Sequence, residues 1–211
     1  MNRSDAIAIV FLLAGFAVGA YFYPQLPDVV ASHWNAAGEA DGYMPRAWGL
    51  FLLPAISVAL YALLRLLPRL DPLRANVAAF RRHYDAFIVV FIAFMLYLHL
   101  LTIAWNIGLR FNMIQWLCPA FGALFYGAGV LVGHAKRNWF IGIRTPWTLS
   151  SDAVWDKTHR LGGRLFRAAG ALALVSVVLP GYAIWFVMAP VIVAALWAAV
   201  YSYVEYRRQA A

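Results

Sequence analysis

Residues 136–165 read KRNWFIGIRTPWTLSSDAVWDKTHRLGGRL, the longest polar interruption in the second half of a very apolar chain. The stretch carries three tryptophans, a Thr-Pro pair, a Gly-Gly pair and six basic residues. Its first half has no helical periodicity, and Thr145 stands before Pro146, a position that drives the backbone to an extended form. Ser150 or Ser151 then supplies a helix N-cap, with Asp152 in the first turn, where the helix dipole favours an anion. From Ala153 onward one helical face is Val154, Trp155, Thr158, Leu161 and Leu165, and the other is Asp156, Lys157, Arg160 and Arg164. That pattern predicts an amphipathic helix lying in a membrane interface on the cytoplasmic side. Gly162-Gly163 either turns the chain into the next span or brings two helices close together.

Outward from this loop the chain is almost all hydrocarbon. Of 211 residues, 64% are hydrophobic and 12% charged, too little charge to cover a soluble domain of this size. The expected fold class is all-α, a polytopic membrane protein forming one integral membrane domain over 1–211. A crossing needs roughly 20 apolar residues. Six spans are read at about 6–23, 47–67, 86–107, 113–133, 165–179 and 184–203, with an outer loop at 24–46 and the signature loop at 136–164. The first run lacks a small-x-small cleavage site and ends in Tyr21-Phe22-Tyr23, so it is read as a retained span, not a signal peptide. Pro54 is expected to kink the second span, and Arg65 to snorkel to the interface.

Six crossings place Arg46 and Arg110 on one side and every other member of the 17 Lys and Arg on the opposite side. By the positive-inside rule both termini and the basic loop 136–164 are cytoplasmic, and loop 24–46 is outside. The net charge of +8 therefore reports topology and contact with membrane lipid, not direct nucleic-acid binding. A lone cysteine, Cys118, sits in an apolar run, reads as a packing residue and allows no internal disulfide.

Three groups of polar residues invite a functional reading. In the inner loop they are Asn138, Arg144, Thr145, Trp147, Trp155, Thr158 and His159. Tryptophan and arginine dominate binding hot spots, so these residues suit a docking surface for a cytoplasmic protein. The same residues also suit an interfacial anchor, with rings at headgroup depth and bases on lipid phosphate. His159, three positions after Asp156, has no second histidine at ligand spacing, which argues against metal or acid–base chemistry. In the outer loop, His33, Trp34, Asp41 and Tyr43 form an aromatic and acidic mix suited to a cationic or apolar peptide. His33, Glu39 and Asp41 are too loosely spaced for a metal, and Asp41-Gly42 also reads simply as a turn. The third group is His99, Thr102 and Asn106, a polar stripe on the third span that either joins helices or marks a pathway.

Two runs carry a family resemblance. N-W-F-I-G-I-R-T-P-W-T-L-S-S-D-A-V-W-D-K-T-H-R-L-G-G, 138–163, resembles the signature of the SdpI family, bacterial immunity proteins against the SdpC killing toxin. L-P-D-V-V-A-S-H-W-N-A-A-G-E-A-D-G-Y, 26–43, resembles the DUF1648 segment that often precedes it. The resemblance implies a multi-pass protein of the bacterial cytoplasmic (inner) membrane, with immunity and signal transduction as its functions. It further implies a secreted peptide or protein toxin as outer partner and a cytoplasmic repressor as inner partner. An alternative is a small-solute or ion transporter or channel, which needs a continuous polar route through the bundle. A membrane enzyme ranks last: phosphate loop, nucleophile elbow and His-Glu-x-x-His motif are all missing, and no cofactor is expected.

Overall fold

The computed structural model describes residues 2–210. Its long helices are α1 (Arg3–Phe22), α2 (Arg46–Leu70), α4 (Arg81–Asn106), α5 (Met113–His134), α7 (Asp152–Leu172) and α8 (Ala183–Ala210), with short helices α3 (Arg74–Ala79) and α6 (Pro146–Ser150). Between α1 and α2 lies an antiparallel hairpin of β1 (Val29–Trp34) and β2 (Ala40–Pro45), so the all-α reading needs this one amendment. Val29 to Trp34, readable as a strand or an interfacial segment, is a strand.

Among the described residues, five helices are long and apolar enough to cross a membrane: α1 with the turn that follows it, α2, α4, α5 and α8. Their outward faces leave Val10, Leu13, Leu63, Val193 and Leu196 exposed, which requires a lipid solvent. α7 does not qualify on composition, because its first half is charged. The sequence pattern predicts here an interfacial helix and a separate span beginning near 165. The structure instead has one helix from Asp152 to Leu172, continued as a 3-10 turn over Ala173–Val177. Gly162-Gly163 does not turn the chain, and Ser151 is the cap, its hydroxyl accepting from the Val154 amide.

The reason is a glycine seam. α5 and α7 pack antiparallel along Gly122, Gly129 and Gly133 on one side and Gly163 and Gly170 on the other. A methyl group on Gly163 would stand 2.7 Å from the Gly133 Cα and 2.8 Å from the Gly129 carbonyl oxygen. Helices in lipid associate through such close backbone contact, since hydrocarbon offers no hydrophobic drive between them.

At the end of the bundle where α1 begins, three helices share a buried charge cluster. Arg65 of α2 is ion-paired with Asp5 of α1 and Asp85 of α4. Arg81 reaches Asp85 at 2.9 Å, Tyr61 donates to Asp5 at 2.9 Å, and Asn2 donates to Asp85 at 2.8 Å. Arg65 was expected to snorkel outward; two carboxylates hold it inward instead. α2 also continues unbroken through Pro54 and Pro68.

Two outcomes follow for the purified protein in detergent. Gly163→Ala should lower thermal stability by about 1–3 kcal/mol, the usual cost of overpacking. Gly181→Ala, where an added methyl meets nothing within 4 Å, should leave it unchanged. Arg65→Leu removes the base shared by Asp5 and Asp85, leaving Asp5 with Tyr61 and Asp85 with Arg81 and Asn2, and should cost about 1–3 kcal/mol. Scanning fluorimetry of the three variants measures both.

Candidate functional site

The part of the signature loop that precedes α7, together with Ala135 (135–151), is a folded cap on the end of the bundle. Asn138, fully buried, makes four hydrogen bonds. Its carbonyl oxygen accepts from the amides of Phe140 (2.9 Å) and Ile141 (2.6 Å), and its amide donates to the carbonyls of Lys136 (2.8 Å) and Ile141 (2.8 Å). Asp71, at the end of α2, accepts from the amides of Trp139 (2.9 Å) and Leu73 (2.7 Å). Asn76 of α3 donates to the Arg137 carbonyl at 2.8 Å.

Trp155 and His159 lock the other side. The Trp155 indole N–H donates to the Ala135 carbonyl, just past α5, at 2.8 Å. Its ring stacks on His159 with centroids 3.9 Å apart. The Ile143 amide donates to His159 Nε2 at 3.0 Å, so Nδ1 carries the proton and donates to the Trp155 carbonyl at 2.9 Å. Gly142 must be glycine: its φ is 114°, and an added methyl would press on the imidazole. Burial pushes His159 down to about 4, against the smaller upward pulls of its bond to the Trp155 carbonyl and of Asp156. The ring is therefore neutral, fully hydrogen-bonded and structural.

Thr145 caps α6 in a reciprocal box with Thr148, and its hydroxyl lies 3.0 Å from that of Ser202 on α8. Trp147 packs on Tyr203, centroids 5.0 Å apart. Lys157 pairs with Glu205 of α8, and Arg137 with Asp152 at 2.7 Å.

Of the seven inner residues expected to face a partner or the headgroups, Asn138, Trp155, Thr158 and His159 are buried inside the protein. Neither a docking surface nor an interfacial anchor is built from their side chains. Trp147 and Thr145 are half-buried, and Arg144 is exposed, donating to the Trp139 carbonyl at 2.8 Å. The apolar surface of the loop is instead Trp139 (51% exposed) and Phe140 (36%). Sequence reading passed over them because it credited the larger helical pattern beyond.

At the opposite end stands the β-hairpin. Asn35 shapes its turn, accepting from the amides of Ala37 (2.9 Å) and Glu39 (3.1 Å). Two asparagines hold it down. Asn106 of α4 accepts from the Ala31 amide (2.8 Å) and donates to the Ala31 carbonyl (2.9 Å). Asn112, which caps α5, donates to the Ala37 carbonyl at 2.7 Å. Asn106 therefore joins a helix to a strand, and Thr102 donates to its own helix at Leu98.

His33 Nδ1 and Asp41 Oδ1 meet across the strands at 2.5 Å, both exposed. Glu39 turns away to Asn35, so the three do not converge. Tyr43 is 60% exposed, while Trp34 packs edge-on against Trp105, 5.6 Å between centroids. Among the described residues, no three His, Cys, Asp or Glu side chains gather as a metal site.

Protonating His159 would break its bond from Ile143. Its folded pKa lies below the ordinary value near 6.5, so the stabilisation is complete above that pH and is lost as pH falls towards about 4. The loss should reach about 3 kcal/mol. Melting curves across this window should show it in the parent protein, and His159→Gln should lack that increment.

Residues 134–202 match the SdpI/YfhL protein family, a stretch that takes in the cap, α6, α7 and most of α8. Residues 10–58 match a domain of unknown function, DUF1648, covering most of α1, the hairpin and the first half of α2. The chain is also 22% identical over 207 residues to Immunity protein SdpI of Bacillus subtilis (strain 168), across 98% of this chain and 97% of that protein. No solved structure matches it. The chain is thus similar to the SdpI/YfhL family over 134–202 and to DUF1648 over 10–58, and its similarity to an SdpI immunity protein runs over nearly its whole length.

Proposed function

We propose that this chain is an SdpI-like immunity and signalling protein of the bacterial cytoplasmic membrane. It crosses six times, with α7 and its 3-10 continuation as the fifth crossing in chain order, and both termini are cytoplasmic. The charged first turns of α7, up to about Arg164, lie outside the bilayer on the cytoplasmic side, and the crossing begins near Leu165. The hairpin receives a secreted peptide toxin outside through His33, Trp34, Asp41 and Tyr43. The cap presents Trp139, Phe140, Arg144 and Trp147 to a cytoplasmic regulator, and the buried Asn138, Trp155, Thr158 and His159 hold that face rigid.

One observation carries this reading. α5 is tied to both loops, one at each of its ends. Asn112 caps its start and binds the hairpin at Ala37; Ala135 follows its end and binds Trp155 of the signature segment. A ligand that binds one arrangement of the hairpin better than another shifts the population of both loops through this helix. A transporter is the weaker reading. The polar groups at His99 and at Asp5, Arg65 and Asp85 are separated by the buried apolar side chains Ile88, Ile92 and Met95.

The test is survival of a sensitive host with and without the gene against a panel of secreted cationic peptide toxins. Expression should protect. His33→Ala and Asp41→Asn should abolish most of the protection, whereas Arg144→Ala should keep protection and lose induction of a reporter for the regulated operon. Correct insertion with no protection against any toxin would overturn the proposal.

A further inference from the structure

Beneath the hairpin lies a cavity of about 270 Å³ between α2, α4 and α5. Its walls are mainly apolar, among them Trp48, Leu52, Leu98 and Leu117, and none of its lining residues is Lys, Arg, Asp or Glu. His99 lines it while only 1% exposed, and neither ring nitrogen completes a hydrogen bond to protein. The Gly15 backbone stands near the ring, outside hydrogen-bond geometry, and so leaves both ring nitrogens without a protein partner. The indole nitrogen of Trp34, another lining residue, is likewise buried with no acceptor. Buried polar groups are nearly always satisfied, so two orphans around one cavity call for an occupant with polar atoms.

The route in is lateral. α2 and α5 each pack on α4 but form no substantial seam with each other, so the cavity faces the apolar surroundings between them. From Trp48 to Ile56 it descends two helical turns, about 12 Å, below the hairpin. An occupant that arrives from the hydrocarbon must be apolar over most of its body. With no Lys, Arg, Asp or Glu in the walls and His33 engaged by Asp41, the cavity offers an ionic headgroup no free partner, and a buried charge without one is prohibitively costly. An oxygen acceptor is needed for Trp34, and a carbonyl or hydroxyl also serves His99, which either donates or accepts.

We propose that this cavity is a binding site for an uncharged, membrane-dissolved amphiphile with a carbonyl or hydroxyl head, held by His99 and Trp34. Trp34 is shared with the proposed toxin face, but His99 and Leu117 are not, so the His99→Leu and Leu117→Trp variants separate amphiphile binding from toxin protection.

The test uses the full chain in phosphatidylcholine vesicles with three photoreactive probes carrying the same diazirine acyl chain: a monoacylglycerol, the corresponding alkane and the corresponding phosphatidylglycerol. Crosslinked peptides are mapped by mass spectrometry. Saturable labelling within 48–56 and 113–117 is expected with the monoacylglycerol only. It should fall about fivefold in His99→Leu and in Trp34→Phe, the worth of one hydrogen bond each. Leu117→Trp, which fills the cavity, should also abolish it. Labelling that does not saturate, that the alkane reproduces, or that His99→Leu and Trp34→Phe leave unchanged would overturn the proposal. Should His99→Leu melt early, Trp34→Phe and competition by unlabelled monoacylglycerol decide alone.

Discussion

Irregular backbone at the end of a membrane bundle must find partners for its amides and carbonyls without a helix or sheet to supply them. Asn138 meets most of that demand, with two bonds accepted and two donated from one buried side chain. Once that turn is set, the Trp139 amide meets Asp71, the Arg137 carbonyl meets Asn76, and the Ile143 amide meets His159. Each bond ties a different element to the cap. The exposed rings of Trp139 and Phe140 are the residue of this arrangement, pushed outward because the turn beneath them is closed.

The same economy governs the hairpin. A lone two-stranded ribbon is marginal in water, and this one leans on Asn106, Asn112 and the small core of Leu26, Val30, Leu50 and Ile103. Two ordered loops thus sit at opposite ends of α4 and α5, roughly 33 Å apart for a 22-residue helix. Both are held by side-chain amides binding backbone, a contact that is directional and has few alternative geometries. The bundle between them is packed through glycine contacts on one flank and a charge cluster on the other, and the two flanks differ in how they resist motion.

Much of this was legible in the residues, and the failures have physical causes. Apolar runs set the five apolar helices α1, α2, α4, α5 and α8, because length and composition suffice there. The cap of α7 was readable to within one residue, as Ser150 or Ser151 followed by Asp152, and it is Ser151. What periodicity could not tell is which neighbour a face meets. The Val154, Trp155 and Thr158 face looked suited to a headgroup region, yet it is covered by the loop and by α5, since Gly129, Gly133 and Gly163 bring the backbones together. Asp5, Arg65 and Asp85 lie far apart in sequence, and nothing local marks them as partners. Asp71 and Gly142 gave small signals: an Asp-Pro pair after a helix, and one glycine between two isoleucines.

The charge cluster also bears on how the chain is made. Asp5 leaves the ribosome long before Arg65, and Arg65 before Asp85. During synthesis Asp5 therefore meets Arg65 only once α2 has been made, and Arg65 gains its second carboxylate only with α4. The full cluster exists only when α1, α2 and α4 are all in place, so the order of the chain makes its closure the last step in joining these three helices.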